Sequence, residues 1–221
     1  MSELRVGSVI DKNKRKENLK TVVDYLNAKG LKWTLMCGTL LGCMREKDFI
    51  EWDSDIDIGV VGRDFNKIDI SYFKEKGFSG LGNCLLYKKT NIMKDGISID
   101  FYNIKRKSNY ILFDIGNTFQ YEMFRKISYF IKGEQKKGSV PEKSLLEESP
   151  LQVLQHMLTI PNYKYFPYCD FIQHKFVGLD VFIPKKWEEW LVLLYGSNWR
   201  IPNKNYTDSK ERQKNRRMKK I

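Results

Sequence analysis

The sequence predicts an α/β domain of the α+β kind: a mixed β-sheet flanked by helices, with a C-terminal strand–helix extension. Three observations predict it. Residues 13–29 place Leu19, Val22, Val23 and Leu26 on one face at helical spacing. The run Asp55-Ile56-Asp57-Ile58-Gly59-Val60 alternates polar and apolar side chains, as a strand with one buried face does. The order helix, strand, turn, strand, then further strands shows no βα repetition, which argues against a doubly wound parallel sheet.

Composition sets the outer limits. With 221 residues, 42% hydrophobic and 14% aromatic, the chain is not disordered in bulk. It is long enough to bury a core without a disulfide or a structural metal. We expect one domain over 1–202 and a basic, flexible tail over 203–221. The net charge is +12, and half of that excess lies in the tail. Such a tail suits an anionic membrane surface, or serves only solubility. Four cysteines at 37, 43, 84 and 169 form no Cys-x-x-Cys, and the two histidines are His156 and His174. That spacing argues against a zinc module and fits a reducing compartment. No run of 18 apolar residues and no secretory h-region occur. A soluble, cytoplasmic protein is expected, with peripheral attachment at the inner membrane face as an option.

The elements follow in order. Gly30 stops the first helix. Residues 32–36 form a short strand running into Cys37-Gly38-Thr39-Leu40-Leu41-Gly42, where the glycines permit a tight turn and Thr39 caps a short helix ending near Arg45. A strand over 55–60, a helix over 64–76, and strands over 84–89 and 97–104 come next. Between 110 and 165 the pattern is less legible, with Ser149-Pro150 as a helix start. A hairpin around Gly178 covers 175–183. Pro184 then opens a helix bearing Trp187, Trp190, Leu191, Leu194 and Tyr195, stopped by Gly196.

Asp55 and Asp57 are two apart on a strand and so share a face, opposite Ile56 and Ile58. Two carboxylates ~6 Å apart repel by roughly 3 kcal/mol at an effective dielectric of 20, and a cation between them removes that cost. Asp100 sits among Ile97, Ile99 and Phe101, where an ionised carboxylate needs a partner or a metal. Oxygen donors without histidine or cysteine suit Mg²⁺ or Mn²⁺. An Asp-x-Asp alone arises readily by chance. A Gly38-Thr39 turn before a helix, with its capacity for phosphate, raises the signal. Together these features point to metal-dependent phosphate transfer.

The stretch Gly38-Thr39-Leu40-Leu41-Gly42-Cys43-Met44-Arg45, then Phe49-Ile50-Glu51-Trp52-Asp53-Ser54-Asp55-Ile56-Asp57-Ile58, strongly resembles the LicD family. A second resemblance runs through Lys175-Phe176, Gly178, Val181, Pro184, Leu191, Tyr195-Gly196 and Trp199. Together they cover 31–60, 97–101 and 166–202. The resemblance implies a nucleotidyltransferase-like fold in which Asp55, Asp57 and Asp100 bind metal and Gly38 and Thr39 face the donor phosphates. It also implies transfer of a phospho-alcohol group, such as phosphocholine or a polyol phosphate, from a CDP-linked donor to a glycan or lipid-linked glycan. Glu46 and Asp48 stand where the family has His and Gly, Glu51 replaces Pro, and Ser54 replaces Asp.

Several residues carry two readings. Asp100 is either a metal ligand or the acceptor of the hydroxyl proton. Arg45 clamps a donor phosphate or pairs with Glu46 or Glu51. Asp53 orients the pair, adds a ligand, or is a plain strand residue. Lys175 meets a phosphate or is a solvated strand lysine. Trp52 reads as a packing residue, the C-terminal aromatics as core, Cys37 as a buried small hydrophobe, and both histidines as structural or surface residues. Two other functions compete: transfer of a nucleotide itself to a small molecule, protein or RNA, and nucleic-acid binding through the basic arm. The last leaves the carboxylates unexplained.

Overall fold

The computed structural model describes residues 11–84, 89–114 and 163–204. Helix α1 (Lys12–Ala28) is capped by Asp11, whose side chain accepts from the Asn13 backbone N–H at 2.8 Å. Its stripe Leu19, Val22, Val23 and Leu26 is buried against the sheet, each side chain contributing about 1.5–3 kcal/mol. Gly30, at φ +59°, makes the left-handed turn that ends the helix and starts the chain back.

A seven-stranded sheet has the order β1 (Trp33–Leu35), β2 (Asp55–Val61), β5 (Ile97–Lys107), β4 (Lys89–Lys94), β3 (Ser79–Cys84). Strand β6 (Tyr110–Asp114) pairs with the far half of β5, and β7 (Tyr163–Pro167) pairs with β6. Among these pairings only β2 with β5 is parallel; it matches Asp55 with Ser98, Asp57 with Asp100, Gly59 with Tyr102 and Val61 with Ile104. Parallel neighbours point equivalent residues to the same face. One face of this central pair therefore carries Asp57, Asp100 and Tyr102, and the other carries Ile56, Ile58, Ile99 and Phe101 in the core.

Helix α2 (Cys37–Arg45) follows β1, α3 (Ile70–Glu75) precedes β3, and α4 (Trp187–Tyr195) follows a separate hairpin of β8 (Phe171–Phe176) and β9 (Leu179–Pro184). A second apolar cluster, including Met36, Ile104, Ile111, Phe166, Trp190 and Leu194, covers part of the acidic face. Trp190 and Trp199 are buried, as expected of the C-terminal aromatics.

Two boundaries differ from the sequence reading. The helix expected over 64–76 is a 3₁₀ segment, Gly62–Lys67, followed by α3, which Asp69 caps through the Ser71 N–H. Of the strand expected over 84–89, Cys84 ends β3 and Lys89 begins β4, and residues 85–88 lie outside the described residues. Pro184 closes β9 instead of opening α4, whose N-cap is Lys186. The Ser149-Pro150 helix start, His156, and the tail from 205 onward lie outside the described residues. No helix among the described residues is long and apolar enough to cross a membrane.

Candidate active site

Asp57 is fixed at four points. Its backbone N–H donates to Thr39 Oγ1 at 2.8 Å and its carbonyl accepts from Met36 N–H at 3.0 Å. Its Oδ2 accepts from the Gly38 N–H at 3.0 Å, and its Oδ1 from the Tyr102 hydroxyl at 3.1 Å. Cys37, at φ +44°, makes the left-handed step that turns the first amides of α2 toward β2. Such a backbone costs of order 1–3 kcal/mol and is retained where surrounding contacts demand it. Thr39 is thus not a helix cap: Met36 is the N-cap of α2 and makes no side-chain capping bond.

Asp100 is held just as closely. Asn91, its partner on β4, donates through Nδ2 to Asp100 Oδ1, Ser98 Oγ lies 3.3 Å from the same oxygen, and Tyr102 OH lies 3.3 Å from Oδ2. Asp57 and Asp100 are each 4% exposed. Their donors are a backbone amide, a side-chain amide and hydroxyls, which orient the carboxylates without cancelling charge. One oxygen from each of Asp55, Asp57 and Asp100 lies within 4.8 Å of the others. Asp55 is half-buried, and its carboxyl is pushed up to about 9, first by burial, then by the Asp57 charge and by the hydrogen-bonded Asp53. Three converging, nearly dry carboxylates with only oxygen to offer fit a hard divalent cation.

The two glycines of the helix act by close approach. A Cβ on Gly38 would overlap Asp53 Oδ2 and come 3.5 Å from Asp57 Oδ2. A Cβ on Gly42 would meet backbone atoms, Asp48 O at 2.7 Å and Ile50 N at 3.2 Å. A carboxylate can swing aside; a peptide cannot. Gly42→Ala should therefore destabilise the fold by about 1–3 kcal/mol, visible as a lowered Tm. Gly38→Ala should keep the Tm and disturb Asp53.

The remaining expected residues divide. Arg45 takes its ion-pair reading: Nε is 2.7 Å from Glu46 Oε1, and Nη1 donates to the Trp199 carbonyl at 3.1 Å, tying α2 to the segment after α4. Lys175 is exposed on the separate β8–β9 hairpin and pairs with Asp180 at 2.8 Å. Trp52, expected to pack, is 41% exposed, with Lys204 Nζ 5.0 Å from its ring centre. Burial raises the Cys43 thiol to about 12, which removes it as a nucleophile. His174 lies on the exposed hairpin, partly shielded.

Four residues of the site escaped the sequence reading. Ser98 and Tyr102 flank Asp100 at ±2 and share its face, so strand alternation alone could have found them. Asn91 could not be found, because its role depends on the β4–β5 register. Arg15 is the fourth. It stands in the apolar stripe of α1, four residues before Leu19, and is 2% exposed. Its Nη1 donates to the Ile50 carbonyl at 2.9 Å and its guanidinium lies 5.2 Å from the Phe49 ring centre. Burial lowers its pKa, and the charges of Asp53, Asp55 and Asp48 oppose that shift. It thus anchors the loop that delivers Asp53 and Asp55.

A mixed sheet with carboxylates on two adjacent strands, beside the amino end of a glycine-bearing helix, defines a nucleotidyltransferase-type domain. The chain belongs to the LicD family: the family model described as LicD/FKTN/FKRP, nucleotidyltransferase domain, matches residues 30–163. Among curated proteins, Ribitol 5-phosphate transferase FKRP of Mus musculus is 27% identical over 94 residues, which is 42% of this chain and 18% of that protein. The Homo sapiens protein of the same name is 27% identical over 101 residues, 45% of this chain and 19% of that one. The chain thus matches under a fifth of the length of these relatives. Among solved structures, the lincomycin-bound lincosamide antibiotic adenylyltransferase LnuA aligns over 89% of this chain and 95% of its own, at 12% identity and a TM-score of 0.47.

Proposed function

We propose that this protein is a metal-dependent transferase that moves a phospho-alcohol group, of the phosphocholine or polyol-phosphate type, from a CDP-activated donor to a glycan hydroxyl. The observation that carries the reading is the registered pair Asp57–Asp100 on parallel strands, with Asp55 beside it. Family membership and the similarity to ribitol 5-phosphate transferases support the phospho-alcohol. A lipid-linked acceptor at the cytosolic membrane face, with the basic tail on anionic lipid, belongs to the same reading.

Asp55, Asp57 and Asp100 would hold Mg²⁺ or Mn²⁺. Such an ion supplies charge neutralisation at the non-bridging phosphate oxygens and polarises the bond to the leaving group. Gly38 and Thr39 act on the donor through Asp57, since the Gly38 N–H and the Thr39 hydroxyl both serve that residue. Asp100 acts as a ligand and not as the base. At 4% exposure its carboxylate is closed off from an incoming hydroxyl. Asp53, half-exposed beside the cluster and hydrogen-bonded to Asp55, is then the group placed to take the acceptor hydroxyl's proton.

Tyr102 is a positioning residue, its one hydroxyl spanning Asp57 Oδ1 and Asp100 Oδ2. A hydrogen bond to a charged group contributes roughly 1.5–3 kcal/mol. Tyr102→Phe should therefore raise the Mn²⁺ concentration for half-maximal activity about tenfold or more, with donor KM changed much less. A purely structural role would lower Tm and leave the metal midpoint unmoved.

The deciding experiment incubates the protein with Mg²⁺ or Mn²⁺, a glycan acceptor panel, and CDP-choline, CDP-glycerol or CDP-ribitol, followed by mass spectrometry. CMP release with the phospho-alcohol mass on the acceptor is expected. A nucleoside monophosphate on the acceptor would establish nucleotide transfer instead. Metal-independent transfer would overturn the site.

A further inference from the structure

A cavity lies on the same face of the sheet, beyond Tyr102. It is lined by Lys32, Val61, Ile104, Arg106, Ile111, Tyr168, Cys169 and Phe171, with a volume of about 200 Å³. Strand register builds it: Val61 is level with Ile104 across β2 and β5, and Arg106 is level with Ile111 across β5 and β6. Val61 is four residues past Asp57, so the cavity lies ~13 Å along β2 from the carboxylates. Met36 fills the space above Gly59 between the two.

The cavity has an apolar floor and a cationic rim. Ile104, Ile111 and Cys169 are buried beneath it. At the rim the Arg106 guanidinium stacks 3.9 Å from the Tyr168 ring centre and donates to the Tyr168 hydroxyl at 3.2 Å. Lys32 Nζ lies 5.7 Å from the Phe171 ring centre. No acidic residue lines the cavity, and neither cation makes an ion pair among the described residues. A stacked guanidinium still offers its remaining in-plane N–H groups to an oxyanion, and an ammonium lining the same cavity adds a second charge. Two positive charges match a dianion. A dry cavity of ~150 Å³ accepts a benzene ring, so this floor accommodates one ring or a short branched chain.

We propose that this cavity binds a phosphate monoester with a compact apolar alcohol, the phosphate on Lys32 and Arg106 and the apolar part over Ile104 and Ile111. The site does not depend on the transfer reading, because its ligand meets neither the carboxylates nor a metal.

The test uses the full chain without donor or metal, labelled at isoleucine methyls, and titrated with phenyl phosphate. Saturable shifts at Ile104 and Ile111, with Ile92 and Ile99 unmoved and a Kd of about 1 mM or tighter, are expected for eleven heavy atoms. Arg106→Glu and Lys32→Glu, both exposed positions, should each weaken binding about tenfold or more while Tm is kept. Ile111→Trp should block it. Inorganic phosphate and benzyl alcohol should each bind about tenfold more weakly than phenyl phosphate. Three results overturn the proposal: no shift at Ile104 or Ile111 up to ~10 mM, binding unchanged by both charge reversals, or inorganic phosphate binding as tightly as the ester.

Discussion

Replacing Asp57 by asparagine should lower phospho-alcohol transfer by about a thousandfold or more, the equivalent of roughly 4 kcal/mol of transition-state stabilisation. Asparagine is nearly isosteric, and its amide oxygen can still accept from the Gly38 N–H. Its nitrogen then faces the Tyr102 oxygen, which can accept in turn. Packing survives, and what disappears is one negative charge and one hard donor for the cation. Asp57 is 4% exposed, so water is poorly placed to substitute. A metal-centred electrostatic contribution of several kcal/mol goes with it. Three measurements decide the matter together: transfer rate, Mn²⁺ affinity by calorimetry, and Tm in EDTA. A folded, inactive variant that no longer takes up Mn²⁺ is the expected outcome. Asp57→Asn at full activity, or unfolded at room temperature, would show that the carboxylate serves packing and not the cation.

Much of this site is legible in sequence because its key residues obey a period of two. Asp55 and Asp57 share a face whatever the strand pairs with, and an aspartate between Ile99 and Phe101 is conspicuous anywhere. Their meeting is a different matter. It requires β2 to lie parallel to β5 across a connection of more than 30 residues that holds the 3₁₀ segment, α3 and the β3–β4 pair. No local pattern encodes that register. Secondary structure failed where local signals compete. Asp69 and its hydrogen bond to Ser71 start a fresh helix inside what reads as one continuous run. Arg15 illustrates the opposite failure. A charged residue in an apolar stripe is usually discounted as a defect in the pattern, yet here it holds the Ile50 carbonyl under the acidic loop. Its Nε and Nη2 find no hydrogen-bond partner among the described residues, so that anchor is costly to bury and is retained for position.

Without a cation, the protein should lose stability as pH rises from about 5 to 9, and Asp55 is the reason. Burial, the Asp57 charge and the bond to Asp53 raise its carboxyl to about 9, against an ordinary value near 4 in the unfolded chain. Between those two values the folded protein holds a proton that the unfolded chain has released. Stability therefore falls with rising pH across that window, is fully present below it, and is lost once the folded carboxyl ionises. Solvent screening at a half-exposed group limits the effect to about 2 kcal/mol, or roughly 4–8 °C in Tm for a domain of this size. Asp55→Asn removes the titration, so the wild-type Tm should fall steadily relative to that of the variant from pH 5.5 to 8.5 in EDTA. Saturating Mn²⁺ should stabilise wild type most at high pH, where the carboxylates are ionised and ligation no longer has to displace a proton. Parallel Tm profiles for wild type and Asp55→Asn in EDTA would mean that no uncompensated carboxylate is held there. The cluster would then be an ordinary polar surface with no stored demand for a cation.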